Sequence, residues 1–481
     1  MASGERQIFD SCRKRSDPVS LIIRFMKPNA VGDFKTAPGA RGGILLGSLR
    51  ELRRDFLGTL AKGFTEHGDI VRHRLASRVA HAVAHPDFAH EVLVSRTREF
   101  LKPKKDKGLG LLLGSGLVTN DDYDSWLSQR RMMQPIFHRQ RIDALAGDMT
   151  AAGGELLSRW GELAAAGRPV EMTEEMMRVT MEIITRTMFG EHAPGRAGEV
   201  SEALGVASHF VNDRLKNPLS LPLKIPTPAN RAFLESTRTL DEIVYGIIRR
   251  RQSSGGRRGD LLDMLIEARD EETGEGMSET QIRDEVLTIF AAGHETTANA
   301  LTWTWYLLAR HPQVMKRLQL EADSVLAGRT PTAADIPNLK YVAQVFNESL
   351  RLYPPVPMVA RRVDQETHLG GYRLPKDSLV FISIYHLHRH RDLWGEPETF
   401  DPDRWLPERG KRAHQLSFMP FGAGQRLCIG NHMALMEGAL LLAQIARRYE
   451  PSLISSNPPV PEVGVTMRPK NGLPMSIQPR A

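Results

Sequence analysis

The chain has 481 residues, 41% hydrophobic and 25% charged, with a formal net charge of +7. This composition excludes collagen-like, disordered and coiled-coil chains, and the charge comes without the basic motif and stacking aromatics that a nucleic-acid partner would need. Two cysteines, Cys12 and Cys428, exclude a disulfide scaffold and point to a reducing, cytoplasmic setting.

The first forty residues are polar, basic and weakly patterned, which predicts an extended or mobile arm. Its best apolar run, 19–26, is interrupted by Arg24 and falls short of the about 20 residues of a spanning helix, so no transmembrane anchor is expected. Two strands are predicted at 69–75 and 79–83, then a helix opened by His85-Pro86 and running to 94. Residues 107–117, KGLGLLLGSGL, read as a mobile loop lined with leucines. Helical patterns dominate from 123 to 251, broken near 193–195 and 217–228, and 252–260 reads as an exposed linker.

The clearest helix begins after Ser278, where Ser278 and Gln281 form a capping box, and meets no proline before Pro312. About 32 residues at 1.5 Å each give a helix of about 48 Å, long enough to cross the molecule. Another helix spans about 338–352 and stops before Pro354-Pro355. Short strands over 356–385, a proline-rich meander at 396–407, a helix over about 431–449 and a hairpin of 463–468 with 473–477 complete the chain. The expected fold is mainly α with a minor β region.

The chemistry starts at residues 421–430, FGAGQRLCIG. Cys428 follows two glycines and precedes a helix, where loop amides and the helix N-terminus can lower a thiol pKa. Gly422 and Gly424 permit a tight turn, Gly430 permits close approach to a flat ligand, and Arg426 suits a carboxylate. One thiolate beside a carboxylate clamp is what a haem requires; a buried structural cysteine is the plainer alternative.

The pattern F-x-x-G-x-R-x-C-x-G resembles the haem-binding loop of the cytochrome P450 superfamily, the haem-thiolate monooxygenases. The resemblance implies haem b with Cys428 as axial ligand of the iron, Phe421 against the thiolate, and Arg426 on a propionate. It implies the family's triangular helical prism, with the long central helix over the haem, built from a single catalytic domain over 41–481 behind an arm at 1–40.

Residues 292–297, AGHETT, lie mid-helix. Two threonines and a glycine are poor helix formers, and a rule broken inside a strong helix suggests function. A threonine hydroxyl there can bond the i−4 carbonyl or leave it open, so the helix is expected to bulge into a polar notch. The segment matches the family's A-G-x-[D/E]-T-T motif. By resemblance Glu295 and Thr296 deliver protons, with Ala292 and Gly293 against haem and oxygen.

Glu348 and Arg351 share a helix face, and a solvated surface pair is the ordinary reading. The family's E-x-x-R motif implies instead a buried pair joined by Arg404 of the meander. Trp405 stands where phenylalanine is common, an exchange expected to change little. Trp126 and Arg130, spaced i and i+4, match the family's W-x-x-x-R propionate contact, and Arg361 joins them, in a register complicated by Arg362. His386, His388 and His390 suit a strand end better than a metal comb. The resemblance covers roughly residue 60 to the C-terminus.

These features imply activation of dioxygen to hydroxylate or epoxidise a lipophilic fatty acid, terpenoid or polyketide. A peroxide-driven or isomerising enzyme and a haem or lipid sensor are the alternatives, and neither needs the Glu295–Thr296 pair. Electrons are expected from NAD(P)H through a separate ferredoxin or flavodoxin and its reductase, docking on Arg409, Lys411 and Arg412. The expected pocket draws on Leu112, Leu113, Phe290, Val356, Met358 and Val465, in a monomer.

Overall fold

The computed structural model describes residues 34–39, 42–43, 45–105, 108–189, 197–217, 220–254, 259–409 and 414–480. Most of the expected arm, the break at 193–195, and Lys411 and Arg412 lie outside these residues. Among the described residues, no helix is long and apolar enough to cross a membrane.

Helices dominate, and the long one organises them. Glu279–Arg310 starts where Ser278 accepts from the Gln281 amide at 3.2 Å while Gln281 accepts from the Ser278 amide at 2.9 Å. It packs against Met172–Phe189, Pro228–Ser254, Lys340–Leu352 and Asn431–Arg448. These helices share one large apolar core; a smaller one lies under a mixed five-stranded sheet. That sheet runs in the order Ile70–Leu75, Arg78–Val83, Leu379–Ser383, Met358–Val363, Phe100–Leu101. Arg78–Val83 pairs in parallel with Leu379–Ser383; the other neighbours are antiparallel.

Several expectations change. Residues 108–117 form no open loop: Gly110–Leu113 is a helical turn, and the amides of Ser115 and Leu117 donate to Asp284 (2.7 Å) and Glu285 (3.0 Å) on the long helix. The linker expected at 252–260 is helical to Ser254, and Asp260 is buried, clamped by Arg251 at 2.7 Å. The C-terminal hairpin pairs differently. Pro461–Val463 meets Met467–Pro469 around Gly464–Thr466, while Pro474–Pro479 pairs with Tyr449–Leu453. Gly472, at φ +74°, turns the chain away to that other partner.

Glu348 and Arg351 are fully buried. Arg351 donates twice to Glu348 (2.7 and 2.9 Å) and also to the carbonyls of His388, Pro397 and Thr399. Glu348 further accepts from Arg404 Nε, the Asp401 amide and the Trp405 indole, each at 3.1 Å. Trp405 is therefore no idle exchange for phenylalanine, which has no donor to offer. His388 extends the network: its Nδ1 meets the Arg351 carbonyl at 3.3 Å and its Nε2 accepts from the Met419 amide at 2.9 Å, just before the cysteine loop. The three histidines diverge. His386 bonds Ser383 and the Leu57 carbonyl, and His390 bonds Asp69. Among the described residues no cluster suited to a metal ion forms.

Glu348→Ala leaves the Arg351 guanidinium buried without its counter-charge, and should cost on the order of 3–5 kcal/mol of stability; a denaturant midpoint equal to wild type would contradict this. A second prediction concerns acid. Burial, the largest cause in each case, lowers the pKa of His73, His81 and His386 to about 4 and of His388 to about 3. Both ring nitrogens of His73 and His81 lack a partner among the described residues. Unfolding therefore takes up protons at these four histidines below pH 6.5: their contribution to stability is full above that pH and drains as pH falls towards 4. Denaturation of His81→Gln across this window should take up about one proton fewer than wild type.

Candidate functional site

The long helix is buried over most of its length on both sides of one window, Ala291–Thr296, whose residues are accessible although the helix runs through the core. A core helix shows such a window only where a cavity lies against it. The expected bulge is absent: the helix stays regular, and the Thr296 hydroxyl donates to the Ala292 carbonyl at 2.8 Å. His294 Nδ1 bonds the Phe290 carbonyl at 2.7 Å, and burial lowers its pKa. The His294 carbonyl accepts from Thr180 at 3.1 Å. A Cβ at Gly293 would lie 3.1 Å from Ile184, so this glycine turns its open side to the neighbouring helix. Ala292 is the most open residue of the window.

The cysteine loop closes on itself: the Cys428 amide donates to the Phe421 carbonyl at 2.9 Å. Gly424, at φ +68°, is held against the Leu93 carbonyl, where any Cβ would sit 1.9 Å away. Leu93 belongs to a π-helical turn, Glu91–Ser95, a local irregularity of the kind that gathers at functional sites. Gly430 caps the helix Asn431–Arg448 and has only Phe137 within 4.0 Å of its missing Cβ. Cys428 is exposed, yet burial raises its pKa, against the opposing pull of the Gly430 amide and Arg130. The thiol thus opens onto an enclosed space. The lowered pKa expected from loop amides is not met, because desolvation outweighs them.

Beside this loop four cations converge. Arg130 donates to the Leu427 carbonyl (2.9 Å), Arg426 to the Asn120 carbonyl (3.2 Å) and Arg361 to its neighbour's carbonyl (2.9 Å). The Arg426 guanidinium also lies 4.1 Å from the ring centre of Trp126, itself buried. Lys102 completes the group, repelled by Arg361 and Arg426. Among the described residues none of the four has a salt-bridge partner. Desolvation lowers all their pKa values, to about 9 for Arg426 and about 10 for Arg361. Arg362, the alternative in register, instead pairs with Asp364 and Asp377. Arg361 is buried and the other three are half-buried; cations drawn out of water without anions mark a site made for an anionic ligand. A haem, with two propionates and an iron that takes one thiolate, fits both the cation group and the Cys428 thiol. Lys102 was missed in the sequence, where it is one of four lysines within 102–107, a run that reads as a solvated charge cluster.

The pocket expectation is corrected in part. Leu112 and Leu113 are fully packed into the core, and Phe290 packs on Phe189 with ring centres 5.3 Å apart, so none of the three offers a surface to a ligand. Leu111, Val356, Met358 and Val465 keep accessible surface and remain candidates for the lining.

With a long helix opened at one window and a cation-ringed cysteine loop, the architecture is that of a haem-thiolate oxygenase. The family model described as Cytochrome P450 matches residues 37–474, and the chain belongs to the cytochrome P450 family. It is 39% identical to cyclooctatin synthase of Streptomyces melanosporofaciens over 85% of this chain and 89% of that protein. It is 37% identical to cyclooctat-9-en-7-ol 5-monooxygenase of the same organism, over 90% and 92%. The crystal structure of the cytochrome P450DA heme domain superposes with a TM-score of 0.84 at 28% identity, covering 93% of this chain and 99% of that one. The chain is a haem-dependent monooxygenase that uses dioxygen on a lipophilic small molecule.

The unpaired cations predict opposite effects on two measurements. Arg426→Leu removes a half-buried charge that has no salt-bridge partner among the described residues, so the haem-free protein should gain thermal stability. The penalty is full at pH 7 and fades only as pH rises above about 9, through the lowered pKa of Arg426. The same variant should release haem to apomyoglobin roughly tenfold faster, the loss of one charged hydrogen bond of about 1.5 kcal/mol. Unchanged release would remove Arg426 from the cofactor site.

Proposed function

We propose that this enzyme hydroxylates a lipophilic terpenoid. Cys428 ligates the iron of haem b, and Trp126, Arg130, Arg361, Arg426 and Lys102 receive the propionates. The observation that carries this reading is the group of desolvated cations, without salt-bridge partners among the described residues, bordering the exposed Cys428 thiol. The bound haem supplies the redox chemistry that activates dioxygen and inserts one oxygen atom into the substrate. Phe421 would pack on the cysteine side of the cofactor, Gly430 would leave room for it, and Ala292 would face it at the window of the long helix, while Gly293 lets the neighbouring helix pack close. The domain carrying this chemistry spans 41–481.

The protein's own part is binding, water exclusion and proton movement. Thr296 must turn its hydroxyl from the Ala292 carbonyl to donate into the cavity, and Glu295 resupplies the proton as general acid. Val356, Met358, Leu111 and Val465 hold the substrate by apolar contact over the window. That lining has no fixed charge, which suits a hydrocarbon or alcohol such as the cyclooctat-9-en-7-ol named in a relative's activity. Electrons come from NAD(P)H through a ferredoxin or flavodoxin and its reductase, and Arg409, exposed before the cysteine loop, suits an acidic partner. A thiolate ligand and two cysteines in all suit the cytoplasm.

The carbon monoxide spectrum of the reduced protein tests the ligand: a strongly red-shifted Soret band in wild type should be lost in Cys428→Ser. Cyclooctat-9-en-7-ol should shift the ferric spin state on titration. In turnover Thr296→Ala should divert most reducing equivalents to hydrogen peroxide. A histidine-like spectrum in wild type, or product yield unchanged in Thr296→Ala, would overturn the corresponding assignment.

A further inference from the structure

Glu295, the acid of the long helix, does not hydrogen-bond the Thr296 hydroxyl beside it. Its carboxylate accepts instead from the hydroxyl of Thr466, at the tip of the hairpin formed by Pro461–Val463 and Met467–Pro469. The Thr466 oxygen in turn accepts from Asn299 Nδ2 at 3.2 Å, one helical turn beyond Glu295. A carboxylate only accepts, so Thr466 commits its single proton to Glu295 and a lone pair to Asn299. The chain is directional, and both Asn299 and Thr466 are buried.

The tip itself is fixed. The Val465 amide donates to Asn212 Oδ1 at 2.7 Å, on the helix Ala197–Lys216, and a Cβ at Gly464 would lie 2.6 Å from the same oxygen. Gly464 closes the turn by donating to the Thr466 carbonyl at 2.8 Å. One residue on, the Met467 carbonyl accepts from the Trp303 indole at 3.1 Å and its amide donates to the Pro355 carbonyl at 2.8 Å. These four hydrogen bonds place a three-residue tip that touches the acid on one side and, through Val465, the candidate pocket on the other.

We propose that Thr466 is a positioning residue: it parks the Glu295 carboxylate against the hairpin tip, so that the acid is presented from one place and not from a range of rotamers. This rests on the reading of Glu295 as the proton-delivering acid. In the coupled reaction, substrate, dioxygen, two electrons and two protons give hydroxylated product and water. When protons reach the wrong oxygen, dioxygen, two electrons and two protons leave as hydrogen peroxide. An unparked acid moves flux from the first outcome to the second without changing how tightly substrate binds.

The test uses the haem-loaded enzyme with a ferredoxin, its reductase and NADPH, and cyclooctat-9-en-7-ol as probe. Product and peroxide per NADPH are measured for wild type, Thr466→Val, Thr466→Ser, Glu295→Gln and the Glu295→Gln/Thr466→Val double variant. Thr466→Val should raise the peroxide share several-fold while the probe's dissociation constant stays within about twofold. Thr466→Ser, which keeps the hydroxyl, should restore most of the coupling. The double variant should be no worse than Glu295→Gln alone. A parallel double-mutant cycle on denaturant unfolding of the same four states of positions 295 and 466 should give a non-zero interaction between them, whatever the turnover.

Thr466→Val coupled like wild type, while Glu295→Gln is uncoupled, overturns the positioning role and leaves the acid in place. Losses that multiply in the double variant, or a Thr466→Ser as uncoupled as Thr466→Val, also overturn it. If Glu295→Gln is itself fully coupled, the reading of the acid falls, and the positioning role falls with it.

Discussion

Arg351 carries a full charge into the interior, and the rest of the molecule is arranged to answer it. Its guanidinium donates five hydrogen bonds, two to one carboxylate, two to backbone carbonyls of the meander and one to the carbonyl of His388. Burying a charge is costly unless every donor finds an acceptor, so the network admits few alternative geometries. The meander must pass where its carbonyls meet the fork, and Glu348 must sit where Arg404 and Trp405 converge. His388 then hands the constraint to Met419, and the loop that carries Cys428 begins two residues later. The position of the thiol is in this way inherited from an ion pair on another element.

The cofactor region uses the same physics with the opposite sign. Arg130, Arg361, Arg426 and Lys102 are drawn out of water without a matching carboxylate. In the fold network, charge is neutralised within the chain and contributes rigidity. Here the neutralising charge must come from outside, so part of the folding free energy is held in reserve for the ligand. Binding then releases strain that folding has stored, which couples retention of the cofactor to stability of the whole.

What the residues announced in advance was local. Ser278, Gln281 and Pro312 bound the long helix because capping and helix breaking act within a turn. The loop around Cys428 was legible for the same reason: glycines, arginine and thiol lie within ten residues. Partner choice was not legible. The strand Pro474–Pro479 has the same alternation whether it pairs with 463–468 or with Tyr449–Leu453, and only the tertiary packing decides. Leu112, Leu113 and Phe290 illustrate a second limit, since an apolar side chain reads alike whether it lines a pocket or fills a core. Lys102 and Thr466 show a third: each gains meaning only from residues far along the chain, Arg361 and Arg426 in one case and Glu295 in the other.

The candidate lining residues bear a consequence for how such an enzyme diversifies. Leu111, Val356 with Met358, and Val465 come from three separate segments, and none takes part through its side chain in the Arg351 network or the cation group. A lineage can exchange them one at a time, trying new ring systems, while the parts that cannot be altered singly stay untouched. Substrate choice is therefore free to drift across generations at little risk to the oxidant, and a gene copy need change only a few codons before selection has a new product to act upon.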